Sequence, residues 1–155
     1  GEGVPGGVLN ILFMSQTGEK TAPVEDPGAF ADLLNEKDPF PRTLGMRFTR
    51  VAPGRAEVEL AVREEMLNFL GVTHGGVVFA LADAAFGAAS NAHGGTAMAI
   101  HAAIDYIRAT GAGTVLTARA EEESRTGRLA RYRVAVEDGE GRLVALFHGI
   151  AYLKK

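Results

Sequence analysis

Residues 68–91 read NFLGVTHGGVVFALADAAFGAASN, and their reading decides how the rest of the chain must be arranged. Across 77–89 every residue is apolar or small except Asp83. A run so rich in Ala, Leu and Phe, bounded by Gly75-Gly76 before and Asn91 after, predicts a buried helix. An ionised carboxylate buried without a partner is costly, and it escapes by pairing, by a raised pKa or by neutralisation. Asp83 is therefore either tied down by hydrogen bonds or kept for chemistry.

Working outward, the segments at 96–107, 113–123, 129–137 and 143–153 carry strand patterns, with Gly127 and Asp138-Gly139-Glu140-Gly141 as turn signals. Upstream, 45–51 and 55–62 flank the turn dipeptide Pro53-Gly54. The second of these alternates, with Ala56, Val58, Leu60 and Val62 on one face and Arg55, Glu57 and Glu59 on the other. A polar loop through Glu64-Glu65 leads to Asn68. Pro27 opens a helical pattern over 28–34 that ends by Lys37, because Pro39 and Pro41 restrict the residues before them. Residues 1–27 are Gly- and Pro-rich and are expected to be a flexible extension, with the part ahead of Met14 read as a tag. A strand or docking segment at 8–13 is the alternative there. Residues 28–155 form one domain. Two strands, one long helix and four further strands predict an α+β fold, a curved antiparallel sheet wrapped around the helix. The uncharged outer face of that helix should meet a second copy of the chain.

The 155 residues suit a single core, and 46% hydrophobic with 23% charged content is ordinary for a globular protein. A net charge of −3 gives no global attraction to nucleic acid or anionic membrane. The absence of cysteine excludes disulfides, thiolate metal sites and a Cys nucleophile, and fits a cytoplasmic location. No apolar run approaches the roughly 20 residues that span a bilayer. The four histidines show no metal-ligand spacing, so no metal is expected.

Asn68, His74-Gly75-Gly76 six residues on, and Asp83 nine after the histidine form a specific constellation. Together with Ile104-Asp105-Tyr106-Ile107-Arg108 and the terminal VALFHGIAY, it resembles the hotdog-fold acyl-CoA thioesterases of the phenylacetate-pathway (PaaI-type) branch. The resemblance spans roughly residues 39–152. It implies that the Gly75 amide polarises a thioester carbonyl and that Asp83 acts as nucleophile or general base. It further implies that Asn68 orients the attacking group and that His74 shapes and supports the site, with Gly76 beside the substrate. No cofactor is implied, coenzyme A being part of the substrate. Two positions depart from the pattern. His101 stands near the expected acyl group where relatives carry a small hydroxyl residue, and Ala109 replaces a proline.

The chemistry is coherent in itself. Free amides at a helix N-terminus supply electrophilic pull on a carbonyl oxygen, and glycines there permit close approach. A carboxylate can attack the carbonyl carbon or deprotonate water. Gly75 and Asp83 are eight residues apart, about 12 Å along a helix. To act on one carbonyl they must come from two subunits related by a twofold axis. A homodimer with interfacial sites, assembling further as a dimer of dimers, is expected. Arg108, Arg125 and Arg128 are the candidate partners for coenzyme A phosphates. Competing readings are a medium- or long-chain acyl-CoA thioesterase, a non-catalytic acyl-CoA-binding domain, and a hydratase. For single residues the plain alternatives are a packing role for Asp83 and His148, a helix-start role for His74, a turn role for Asn68 and a solvated loop for His93.

Overall fold

The computed structural model describes residues 22–154. The expectations for a flexible extension, a tag and a segment at 8–13 lie outside those residues, apart from 22–27. In that stretch Val24 is buried and its amide donates to the Ala92 carbonyl at 2.8 Å. The folded part therefore begins before Pro27, because an apolar side chain covers the end of the central helix.

Two helices lead. Helix α1 (Pro27–Lys37) is capped by Asp26, whose carboxylate accepts from the Gly28 and Ala29 amides. Helix α2 (Pro39–Leu44) departs from the expectation that the prolines only end a helix. It forms because Pro39 occupies the first helical turn, where a missing N–H costs nothing, and Gly45 closes it in the left-handed region at φ 81°. Strands β1 (Arg47–Ala52) and β2 (Arg55–Ala61) follow, then a single 3-10 turn at Glu64–Met66 and the central helix α3 (Gly75–Asn91). The chain ends with β3 (Thr96–Tyr106), β4 (Val115–Thr126), β5 (Leu129–Glu137) and β6 (Leu143–Lys154).

The six strands form one antiparallel sheet in the order β1-β2-β4-β5-β6-β3. Helix α3 lies in its concave face. Leu81, Ala82, Ala85, Phe86 and Ala89 pack against Val58, Leu116, Ala118, Val134, Val136 and Phe147, all essentially inaccessible to solvent. The helix comes so close to β6 that a Cβ on Gly149 would stand 2.8 Å from the Phe86 ring. Only a glycine admits that approach without displacement.

The two edges of the sheet are unlike. Along β1 the Asn35 side chain behaves as a short strand of its own: its Nδ2 donates to the Phe48 carbonyl at 2.8 Å and its Oδ1 accepts from the Phe48 amide at 2.7 Å. Strand β3, at the other edge, exposes Met98 and Ile100, and Tyr106 and Ile107 are exposed where it ends. An exposed edge of this kind invites pairing with another strand. Among the described residues no helix is long and apolar enough to cross a membrane.

Candidate active site

The loop before α3 is organised by Asn68. Its Oδ1 accepts from the Leu70 and Val72 amides, at 2.9 and 3.3 Å, and its backbone bonds Val72 and Gly71. The carboxamide oxygen is thus committed to the turn, while the side-chain NH2 has no partner among the described residues. His74 is the N-cap of α3, its Nδ1 accepting from the Gly76 amide at 2.9 Å. With Nδ1 as acceptor, the ring proton is assigned to Nε2. The His74 carbonyl takes the Val77 and Val78 amides.

One amide of this first turn stays free. Gly75 N–H has no acceptor among the described residues, whereas its own carbonyl receives the Tyr106 hydroxyl at 2.9 Å. Gly75, Asn68, Arg108 and Tyr106 line one cleft of about 280 Å³, together with Thr73 and Thr110, whose hydroxyls lie 2.8 Å apart. Tyr106 belongs to the motif that carried the resemblance, but its bond to Gly75 depends on β3 crossing the helix start, which spacing alone does not reveal.

Asp83 lies elsewhere. It opens onto a separate cavity of about 380 Å³ between α1, α2 and α3, lined by Phe30, Leu34, Phe40, Ala80 and Ala84. The expectation of a buried aspartate needs correcting, for within one chain Asp83 is exposed. The cause is the helical period: the sheet covers the face carrying Leu81, Ala85 and Phe86, and leaves Gly76, Ala80, Asp83 and Gly87 on the other. Loss of hydration against its apolar neighbours nevertheless pushes the Asp83 carboxyl above the ordinary aspartate range.

The remaining candidates divide. Arg108 joins the Gly75 cleft. Arg125 and Arg128 do not, because they flank the turn at the far end of β4, on the order of 30 Å away along that strand. There Arg125 donates to Glu122 at 3.2 Å and Arg128 to the Tyr152 hydroxyl at 2.8 Å. His101 pairs in register with Ile150, on the sheet face opposite Gly149 and Phe147, and lines neither cavity; the bulge between Ala99 and His101 sets that orientation. His148 shares that outer face and is exposed rather than packed. His93 is no solvated loop residue. It is half-buried and bonded to Glu122 at 2.5 Å, and the buried Tyr132 hydroxyl donates to the same carboxylate at 2.8 Å. Burial works to raise the Glu122 carboxyl, but the bonds from Tyr132 and His93 outweigh it and hold the group below its usual range. Among the described residues no group of His, Asp or Glu could hold a metal ion.

An antiparallel sheet curved around one helix, with a free amide at the helix start, is the hotdog fold. The thioesterase superfamily model matches residues 70–145. A putative esterase of Archaeoglobus fulgidus is 36% identical over 140 residues, covering 90% of this chain and 89% of the relative. The acyl-coenzyme A thioesterase PaaI of Escherichia coli is 34% identical over 119 residues, 77% of this chain and 85% of that protein. Among solved structures, a mutant form of the phenylacetic acid degradation protein PaaI from Thermus thermophilus is 46% identical, with a TM-score of 0.72 over 75% of this chain and 99% of that one. The chain belongs to the thioesterase superfamily, and it is a thioester hydrolase.

Proposed function

We propose that the chain hydrolyses an acyl-CoA thioester, with aryl or arylacetyl groups as the preferred acyl class, at sites formed between two copies. The observation that carries this reading is the free Gly75 amide, in a cleft with Asn68 and Arg108, while Asp83 serves a different, apolar cavity of the same chain. A carbonyl cannot reach both ends of a span of about 12 Å. Two antiparallel copies of α3 would bring the Gly75 of one to the Asp83 of the other. The exposed β3 edge and the uncovered face of α3 supply the surfaces for that pairing.

In the assembled site the Gly75 N–H donates to the carbonyl oxygen and stabilises the oxyanion as it forms. The Asp83 carboxylate attacks the carbonyl carbon; the C–S bond breaks, the electron pair leaves with the coenzyme A thiolate, and water then hydrolyses the mixed anhydride. Alternatively Asp83 takes a proton from water, whose oxygen attacks instead. A carboxyl raised above its ordinary range by loss of hydration is a better proton acceptor than an ordinary aspartate, which suits this role. The free NH2 of Asn68 can hold the attacking group or the substrate, and Arg108 can meet a phosphate of coenzyme A. The relatives named for phenylacetic acid degradation and acyl-CoA hydrolysis support this substrate class.

The test is thiol release from phenylacetyl-, acetyl- and palmitoyl-CoA by wild type, Asp83→Ala and Asp83→Asn. Turnover by wild type and its loss in both variants is expected. Full turnover by Asp83→Ala would remove the assignment.

A further inference from the structure

We propose that the cavity between α1, α2 and α3 receives the acyl group, and that Phe40 on α2 determines which acyl groups fit. The inference rests on the thioesterase reading and goes beyond it by locating selectivity in the N-terminal helices. If the reacting carbon lies at the Asp83 carboxylate and the sulfur side leads toward the partner copy's Gly75 cleft, the acyl chain must run the other way. The cavity that Asp83 itself borders is there, and its volume of about 380 Å³ falls in the range of roughly 300–1,000 Å³ typical of small-ligand sites. Its lining is the more apolar of the two: Phe30, Leu34, Phe40 and Ala84 dominate, with Asp38 and Asn91 at its border, whereas the Gly75 cleft mixes aliphatic side chains with hydroxyls, an amide and a guanidinium.

Phe40 is singled out by its exposure. Phe30 and Leu34 belong to the core at 2% and 8% exposure, whereas Phe40 is 62% exposed although it borders the same cavity. An aromatic ring so placed contributes little to folding and is free to be a wall. Asp38, on the same rim, makes no side-chain bond to the helix it caps, so this end of the cavity is not sealed by capping contacts. All of these α1 and α2 residues precede the 70–145 segment matched by the superfamily model. Selectivity carried there can change without touching Gly75 or Asp83.

The experiment compares Phe40→Ala and Phe40→Trp with wild type in two ways. The first is kcat/KM for octanoyl-CoA relative to phenylacetyl-CoA. The second is the ratio of dissociation constants for the unreactive octyl and phenethyl thioethers of coenzyme A, which reads the cavity without turnover. Phe40→Ala should raise the octanoyl preference about fifteenfold for two methylenes newly accommodated, each being worth roughly fourfold. Phe40→Trp should lower it, and inhibition by free coenzyme A should not change. Unchanged ratios in both variants, or an equal loss on every acyl group, would overturn the inference. Failure of wild type to hydrolyse any thioester would instead overturn the parent reading, while the thioether ratios would still decide the role of Phe40.

Discussion

Gly75→Pro removes a single hydrogen-bond donor at a place where the chain can otherwise accept proline. Gly75 is the first residue of α3, and proline is favoured at that position. The residue before it, His74, sits at φ −59° and ψ 133°, the extended region that a following proline requires. No bond of the amide itself is lost, because the Gly75 N–H has no partner among the described residues. The new Cβ would meet Tyr106 Cζ at 3.1 Å; that ring is 56% exposed and can give way, at the expense of its hydroxyl's bond to the Gly75 carbonyl. Stability should therefore fall by no more than the roughly 0.5–1.5 kcal/mol of that one bond, while loss of one oxyanion donor should lower kcat by about 10²–10³-fold. Thiol release measured with phenylacetyl-CoA, alongside thermal unfolding, separates the two effects. Mixing Gly75→Pro with Asp83→Asn and allowing subunits to exchange extends the test. Half of a random equal mixture is heterodimer with one intact site of two, so about a quarter of wild-type activity should return. A Gly75→Pro enzyme that is folded and fully active would refute the role given to this amide. Exchanged heterodimers with no activity beyond the two parents would refute the shared site.

The Asp83 carboxyl, raised by loss of hydration, should place the acid limb of kcat/KM above the ordinary aspartate value of 3.8, and this is checked by a pH–rate profile. A raised folded-state pKa means that ionisation of Asp83 works against folding as the pH rises through that window. Asp83→Asn should thus be at least as stable as wild type at pH 7, read as a urea midpoint, though inactive. Gly149→Ala forces a Cβ to within 2.8 Å of the Phe86 ring in the packed core. It should cost about 1–3 kcal/mol and lower the melting temperature by about 3–9 °C. Glu122 has a lowered pKa, so its stabilisation is present above the unfolded-state value and lost as the pH falls through the folded-state value. Glu122→Gln should cost about 1–3 kcal/mol at pH 7, with the gap from wild type narrowing in urea titrations below about pH 4.

The strands and the central helix were legible because their signals are local. The alternation of Ala56, Val58 and Leu60 and the uninterrupted apolar run around Asp83 each report a single element's surroundings. The cost of bringing Gly75 and Asp83 together was legible too, since helical rise is fixed. What was not legible depends on register and on long-range crossing. Arg125 and Arg128 are ordinary cations until β4 is laid out and carries them to the far end of the sheet. The bulge near His101 turns that residue to the outer face, and no composition rule announces a bulge. The same holds for His93, whose partner Glu122 arrives from another element. Helix α2 is hidden because Pro39 and Pro41 look like breakers, although proline is well tolerated where an amide has nothing to bond.

The plug that Asn35 places on Phe48 has a consequence for assembly. A sheet with two open margins could add copies without limit, as fibrils do. Here one margin is stoppered by a side chain from the chain's own first helix, so growth through β3 would consume the remaining free margin on each copy and halt at a pair. An Asn35→Ala substitution would unstopper it, leaving the Phe48 amide and carbonyl without their partners, and adds a hazard of runaway polymerisation to the weaker fold.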